Sequence, residues 1–329
     1  MKKLWKNKLF SKKAILLLLL LAALFPVVIS LIIRNPKYIL KIGVFILIYI
    51  IAISGLDILY GYCGQISMGH AGFFAIGAYG CAIVTDKLHL PILVSMLIAG
   101  VIAILVAIIV SYPATKLKFH FLSLATIAFG EIIYAFVQAS PNEITGNFKG
   151  YFPKPLEIFG VNFSKNYIFY YYFVLLLVIL FLIMKTNIVK SKIGRSFIAI
   201  RENPVAANGM GINVRRYKML AFCISAFYVS ISGSLYAHFV NYISPGLFAY
   251  DQSVSFMTML LFGGSGNILG PIVGVVSIQV FNELLRNFDK YQMLFYGVLI
   301  LVVVLFMPNG ITGLKKQIEA IKNRKREEL

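Results

Sequence analysis

The chain is poor in charge, poorer still in acid, and nearly without cysteine. Charged residues fill 13% of its 329 positions and only 12 of them are Asp or Glu, where a water-soluble domain carries about 25% charged residues. The apolar residues, 60% of the chain, come in near-continuous runs and not in the amphipathic stripes that a soluble core requires. That excludes an ordinary soluble domain. Cysteine is limited to Cys63, Cys81 and Cys223, far apart and without a CxxC, so neither a disulfide framework nor a metal site is expected. All three read as small packing residues. No GxxxxGK[ST] run occurs, and hence no P-loop for nucleotide phosphates. The chain is therefore read as not an enzyme, with no cofactor and no metal. A membrane receptor would bring a sizeable soluble signalling domain, which is missing as well.

What is present is membrane-length apolar sequence. Ala14–Ile33 runs 20 positions without a charge, about the 30 Å of a hydrocarbon core at 1.5 Å per residue. Further segments at 38–59, 69–85, 91–112, 121–138, 167–184, 217–237 and 291–307, with a broken stretch at 252–281, predict an all-α polytopic transmembrane bundle of about 8–10 spans. The N-terminal run is too long for a signal-peptide core, and Pro26 interrupts it without a small-x-small cleavage site. It is read as a retained first span. In this reading residues 14–314 form the transmembrane domain, between a basic N-terminus at 1–13 and a basic tail at 315–329.

The net charge of +19 is placed for a membrane, not for nucleic acid. Lys2, Lys3, Lys6, Lys8, Lys12 and Lys13 precede the first run, and Lys315, Lys316, Lys322, Arg324, Lys325 and Arg326 follow the last. Cations gather in this way on cytoplasmic flanks, where they also meet the anionic lipid surface. Threading the spans from the inside puts 22 of the 31 cations in the cytoplasm and nine outside, with both termini cytoplasmic. Parity then requires 252–281 to enter and return to the same side. Its centre, Phe262–Pro271, is too rich in glycine for a helix interior, so a broken, partly re-entrant hairpin is expected there. Such backbone persists at membrane depth only when enclosed by protein or lining a wet cavity.

Gly55–Tyr79 is similar in kind, with Gly61, Gly64, Gly69 and Gly77 beside Gln65, Ser67 and His70. Two glycine-interrupted segments, one in each half, point to a midplane pathway. Gly69, Phe73 and Gly77 recur every four residues and should form one packing face, as should Gly266, Gly270 and Gly274 with Gly263 before them. Glu131 lies in the otherwise apolar 121–138. An acid at mid-span costs roughly 2.5–3.5 kcal/mol, so it should face protein or water. Structural hydrogen bonding and a pathway role both fit it. Asp57 is nearer a span end and a weaker candidate. The long external loop 139–166 is a docking candidate.

The loop 185–216 is the most informative segment. Gly194–Glu202 reads as a short helix with Arg195 and Arg201 exposed and Phe197, Ile198 and Ile200 available to pack. Asn203 can cap a second helix that opens on Pro204 and ends at Gly209 or Gly211. Ala206 and Ala207 are its expected partner contacts, with Arg201 and Glu202 on the polar rim.

These residues carry a resemblance. Tyr60–Thr85, Leu124–Ile133, Gly194–Ala226, Gly263–Gly274 and Met307–Leu314 resemble signatures of the LivM-type permease subunit of branched-chain amino acid ABC importers, over roughly residues 38–314. The resemblance implies a bacterial or archaeal inner-membrane importer driven by ATP. A sister permease of the LivH type, two ABC ATPase subunits and an extracytoplasmic substrate-binding protein would be partners, with Gly194–Gly211 coupling to an ATPase. Urea and short-amide importers use closely related subunits. Thr145–Tyr151 departs from the family's usual run at that place, which leaves those substrates open. A stand-alone secondary transporter would need its own ion site, for which Asp57 and Glu131 give thin support.

Overall fold

The computed structural model describes residues 21–31, 36–114, 119–140, 143–158, 161–162, 166–286, 294, 297–298, 301 and 310–313. The basic segments 1–13 and 315–329 lie outside the described residues, as do positions 14–20 and 32–33 of the expected first span and most of 291–307.

The apolar runs form helices because a helix satisfies every backbone N–H and C=O within the segment, where lipid offers no partner. α1 (Leu21–Leu31) is a short apolar helix. α2 (Lys37–Asp57) carries no charge between Lys41 and Asp57 and continues as a π-helical turn, Ile58–Tyr62. α3 (His70–Leu88), α4 (Ile92–Ala114) and α5 (Phe119–Gln138) follow. α6 (Tyr167–Lys190) starts where the Asn166 side chain accepts from the Ile168 amide. Two short helices, α7 (Lys192–Glu202) and α8 (Pro204–Gly209), lead into α9 (Val214–Val240). α10 (Tyr250–Gly263) and α11 (Leu269–Leu285) pack on one another across a break at 264–268. Six of these helices are long and apolar enough to cross a membrane. They coincide with the segments expected at 38–59, 69–85, 91–112, 121–138, 167–184 and 217–237. Among the described residues the bundle is all-α apart from the two-residue pair Glu157–Ile158 and Val161–Asn162.

α9 is the hub and packs on α2, α3 and α4. Small residues allow this closeness. A Cβ on Gly77 would stand 1.9 Å from the Ser230 carbonyl oxygen, and one on Gly233 would stand 2.1 Å from that of Phe74. α4 turns the fully buried Ala99, Ala103 and Ala107 inward, and Ala99 meets Gly80 of α3. α1 is pinned to α6 by the Tyr171 hydroxyl, which donates to the Ala22 carbonyl at 2.8 Å. α11 runs beside α2 in the opposite sense: the break before it touches Asp57 at one end of α2, and Glu283 accepts from Tyr38 at the other. α5 is the least enclosed of the six long helices.

Candidate functional site

The α7–α8 pair follows α6 directly. Ser191 caps α7, its hydroxyl accepting from the Ile193 and Gly194 amides. Gly194 allows the chain to turn back on α6, because a Cβ there would lie 2.2 Å from the Val189 carbonyl. Phe197 and Ile200 are buried and fix α7 to the bundle. The Asn203 side chain accepts from the Val205 and Ala206 amides at 3.0 and 3.1 Å, Pro204 opens α8, and Gly211 turns the chain at φ +82°. Arg195, Arg201, Glu202, Asn203, Pro204, Ala206 and Gly209 are exposed.

Two expectations are corrected here. Ala207 is 2% exposed and packs into its own chain, while Ile198, expected to pack, is 40% exposed. The apolar groups presented outward are Val205 and Met210, each 81% exposed. Two such side chains, one within a short helix and one just after it, make a surface suited to a partner.

Beneath α7 lies a buried charge node. Lys185 Nζ stands 2.7 Å from Asp57 Oδ2, with both side chains fully buried. The other carboxylate oxygen accepts from the Gly266 amide at 2.6 Å. Arg201 donates to the Gly61 carbonyl in the π-helical turn. No side chain fits between these parts: a Cβ on Gly61 would lie 2.0 Å from Asp57 Oδ1 and 2.3 Å from the Gly266 nitrogen. Gly266 itself has φ +75°, a conformation that disfavours any Cβ. In the sequence Asp57 ranked as a weak candidate and Lys185 as a loop cation. The available signal was that each stands in an apolar helix-length run, with opposite sign.

The glycine-rich segments lie inside the subunit. Gly69 abuts the Thr126 carbonyl of α5, with 2.0 Å to a hypothetical Cβ. Phe73 is fully buried between Phe129 and Phe222, at 4.7 and 5.7 Å between ring centres. His70 Nε2 lies 2.8 Å from Ser225 Oγ, and Ser67 and His70 are both buried. Gly64 has φ +72° and faces Arg201. Gly263, Gly270 and Gly274 bring the α10 and α11 backbones together. Gly266, read from the sequence as part of that helical stripe, stands instead in the break, because the chain needs a positive φ there. Glu131 is exposed on α5, on a helix that also exposes Leu124, Ile132 and Phe136. Among the described residues no cluster of His, Cys, Asp and Glu has the makings of a metal site.

At the other end of the bundle Tyr151 pairs with Ile243 through backbone bonds, and its hydroxyl donates to Asp86 at 2.6 Å. The loop so held presents Phe148 and Phe152, 73% and 71% exposed. The 24 residues of α6 separate it from α7, about 36 Å of helix.

Membrane-length helices around a hub, with a compact helical pair at one end, define a multi-pass membrane protein. Residues 38–304 match the family described as "Branched-chain amino acid transport system / permease component", and the chain belongs to that family. It is similar to the high-affinity branched-chain amino acid transport system permease protein LivM of Escherichia coli (strain K12), with 30% identity covering 97% of this chain and 78% of that protein. It is 25% identical to the permease protein BraD of Pseudomonas aeruginosa, over 80% of this chain and 91% of that protein. A shorter stretch, 37% of this chain and 40% of the relative, is 30% identical to LivH of Salmonella typhimurium.

Proposed function

We propose that this chain is a passive half of the pathway in an ATP-driven importer of branched-chain amino acids in a bacterial or archaeal plasma membrane. The single observation that carries the coupling is the outward presentation of Val205 and Met210 on a capped helix pair that follows a membrane-length helix. Two ABC ATPase subunits serve the complex, one of them seated on α7–α8 from the cytoplasm. Arg195, Arg201 and Glu202 ring that contact. The similarity of part of the chain to LivH favours a pathway assembled from two related permeases, with the Glu131 face of α5 turned to the sister subunit. Burial there gives the acid the polar surroundings that lipid cannot. The binding protein docks at the opposite end on Phe148 and Phe152.

In this reading Ser67, Gly69, His70 and Phe73 near the start of α3, with the α10–α11 hairpin, form the wall that shifts during transport. α10 has 14 residues, about 21 Å, short of a full crossing, which supports a partly re-entrant hairpin. Both termini are cytoplasmic.

Reconstitution of the chain with its sister permease, ATPases and binding protein tests the reading. Leucine uptake into proteoliposomes should require ATP at the α7–α8 face. Uptake by this chain alone on an ion gradient would replace it with a secondary transporter, and competition by urea or acetamide but not by valine would reassign the substrate.

A further inference from the structure

We propose that Asp57, Lys185 and Arg201 form a polar latch that carries movement of α7 to the break between α10 and α11. The proposal rests on the reading of α7–α8 as an ATPase seat. It goes beyond that reading by naming the positioning residues through which the seat acts.

Two bodies meet at the node. α6 and α7 are continuous through the Ser191 cap and supply both cations, Lys185 and Arg201. The end of α2 and the π-helical turn that continues it supply the groups these cations hold, the Asp57 carboxylate and the Gly61 carbonyl. Gly266 joins the hairpin to α2 by donating its amide to the same carboxylate. The contact between the bodies is thus made by charge-assisted hydrogen bonds, which depend strongly on distance and direction and exchange partners as discrete states. An apolar seam would slide.

There is also little slack. Cβ positions on Gly61 and Gly266 fall at 2.3 Å from the Gly266 nitrogen and 3.0 Å from Arg201 Nη1 respectively. Gly64 lies against the Arg201 stem, with 3.1 Å from a Cβ to Cγ. A shift of α7 that moves Arg201 therefore either displaces the break at Gly266 or parts from it. The π-helical turn at Ile58–Tyr62 interrupts the regular hydrogen-bond ladder of α2 at the node, as π-bulges frequently do at functional sites.

The test uses the complete transporter in proteoliposomes. Arg201→Gln removes the charge and the reach of the guanidinium that donates to Gly61. The leucine transported per ATP hydrolysed should fall about tenfold, the scale of one lost hydrogen bond from a charged donor. In hydrogen exchange, the nucleotide-dependent change at the peptide 263–269 should disappear, while Arg201→Lys restores part of both. A transport ratio and an exchange response that both match wild type would overturn the latch. If Arg201→Gln fails to assemble, the neutral pair Asp57→Asn with Lys185→Met is read in its place. It should assemble and show the same two losses, and a wild-type ratio in it overturns the proposal. ATP-independent uptake by the wild-type complex would instead defeat the importer reading, so the two failures are told apart.

Discussion

Gly77 of α3 and Ser230 of α9 are in backbone contact: a Cβ on the glycine would lie 1.9 Å from the serine carbonyl oxygen, and the Ser234 hydroxyl donates to the Gly77 carbonyl at 2.9 Å. Any side chain at 77 must part the two helices. Gly77→Leu should therefore destabilise the bundle beyond the roughly 1–3 kcal/mol typical of overpacking, seen as a large loss of folded protein in detergent. Gly209→Ala is the control, since nothing lies within 4 Å of a Cβ there, and it should leave the yield unchanged. Equal yields for the two variants would contradict the packing.

The buried pair predicts a non-additive result. Lys185→Met alone strands the Asp57 carboxylate in a fully buried site and should cost about 3–5 kcal/mol, whereas neutralising both partners should cost little. Thermal unfolding of Lys185→Met, Asp57→Asn and the double variant measures this. A double variant as unstable as the sum of the singles would show that the two residues act separately.

The element plan was legible in the sequence because membrane-length apolar runs and the Asn203-Pro204 start are local signals. Which face of each helix turns inward was not. In a bilayer both faces of a span are apolar, so Ala99, Ala103 and Ala107 did not stand out as a buried stripe, and Glu131, expected to face protein or water, lies on the exposed face of α5 and not against its own subunit. The same ambiguity placed Ala207 outward and left Val205 and Met210 unread. In α8 Ala207 packs inward while Val205 and, just after the helix, Met210 are presented, the reverse of a soluble core. Lys185 falls at the start of the loop 185–216 in the sequence, and its partner lies 128 positions away, a distance only the fold closes. Gly266 fitted a four-residue repeat, and its positive φ arises from the closure of the hairpin.

Orientation has its own check. The three native cysteines are buried, so single cysteines placed at Phe148 and Val205, both strongly exposed, should label with little background in sealed cells. Phe148→Cys should react with a membrane-impermeant maleimide from outside, and Val205→Cys only after permeabilisation. A tag on Leu329 should likewise be shielded. External labelling of Val205→Cys would invert the topology. In the assembled complex Phe148→Ala should weaken capture of the binding protein by about 30-fold, the scale of a 2 kcal/mol contact residue.

The most direct test is of the seat itself. Val205→Glu with Met210→Glu puts two charges on the surface presented by α8, and a charge buried without a partner in an interface costs several kcal/mol. In membranes holding normal amounts of the permease, the ATPases should no longer co-purify with it, and ATP-driven leucine uptake should fall to background. Wild-type co-purification and wild-type uptake in that double variant would contradict the account, because the helix pair α7–α8 would then be only a connection between α6 and α9.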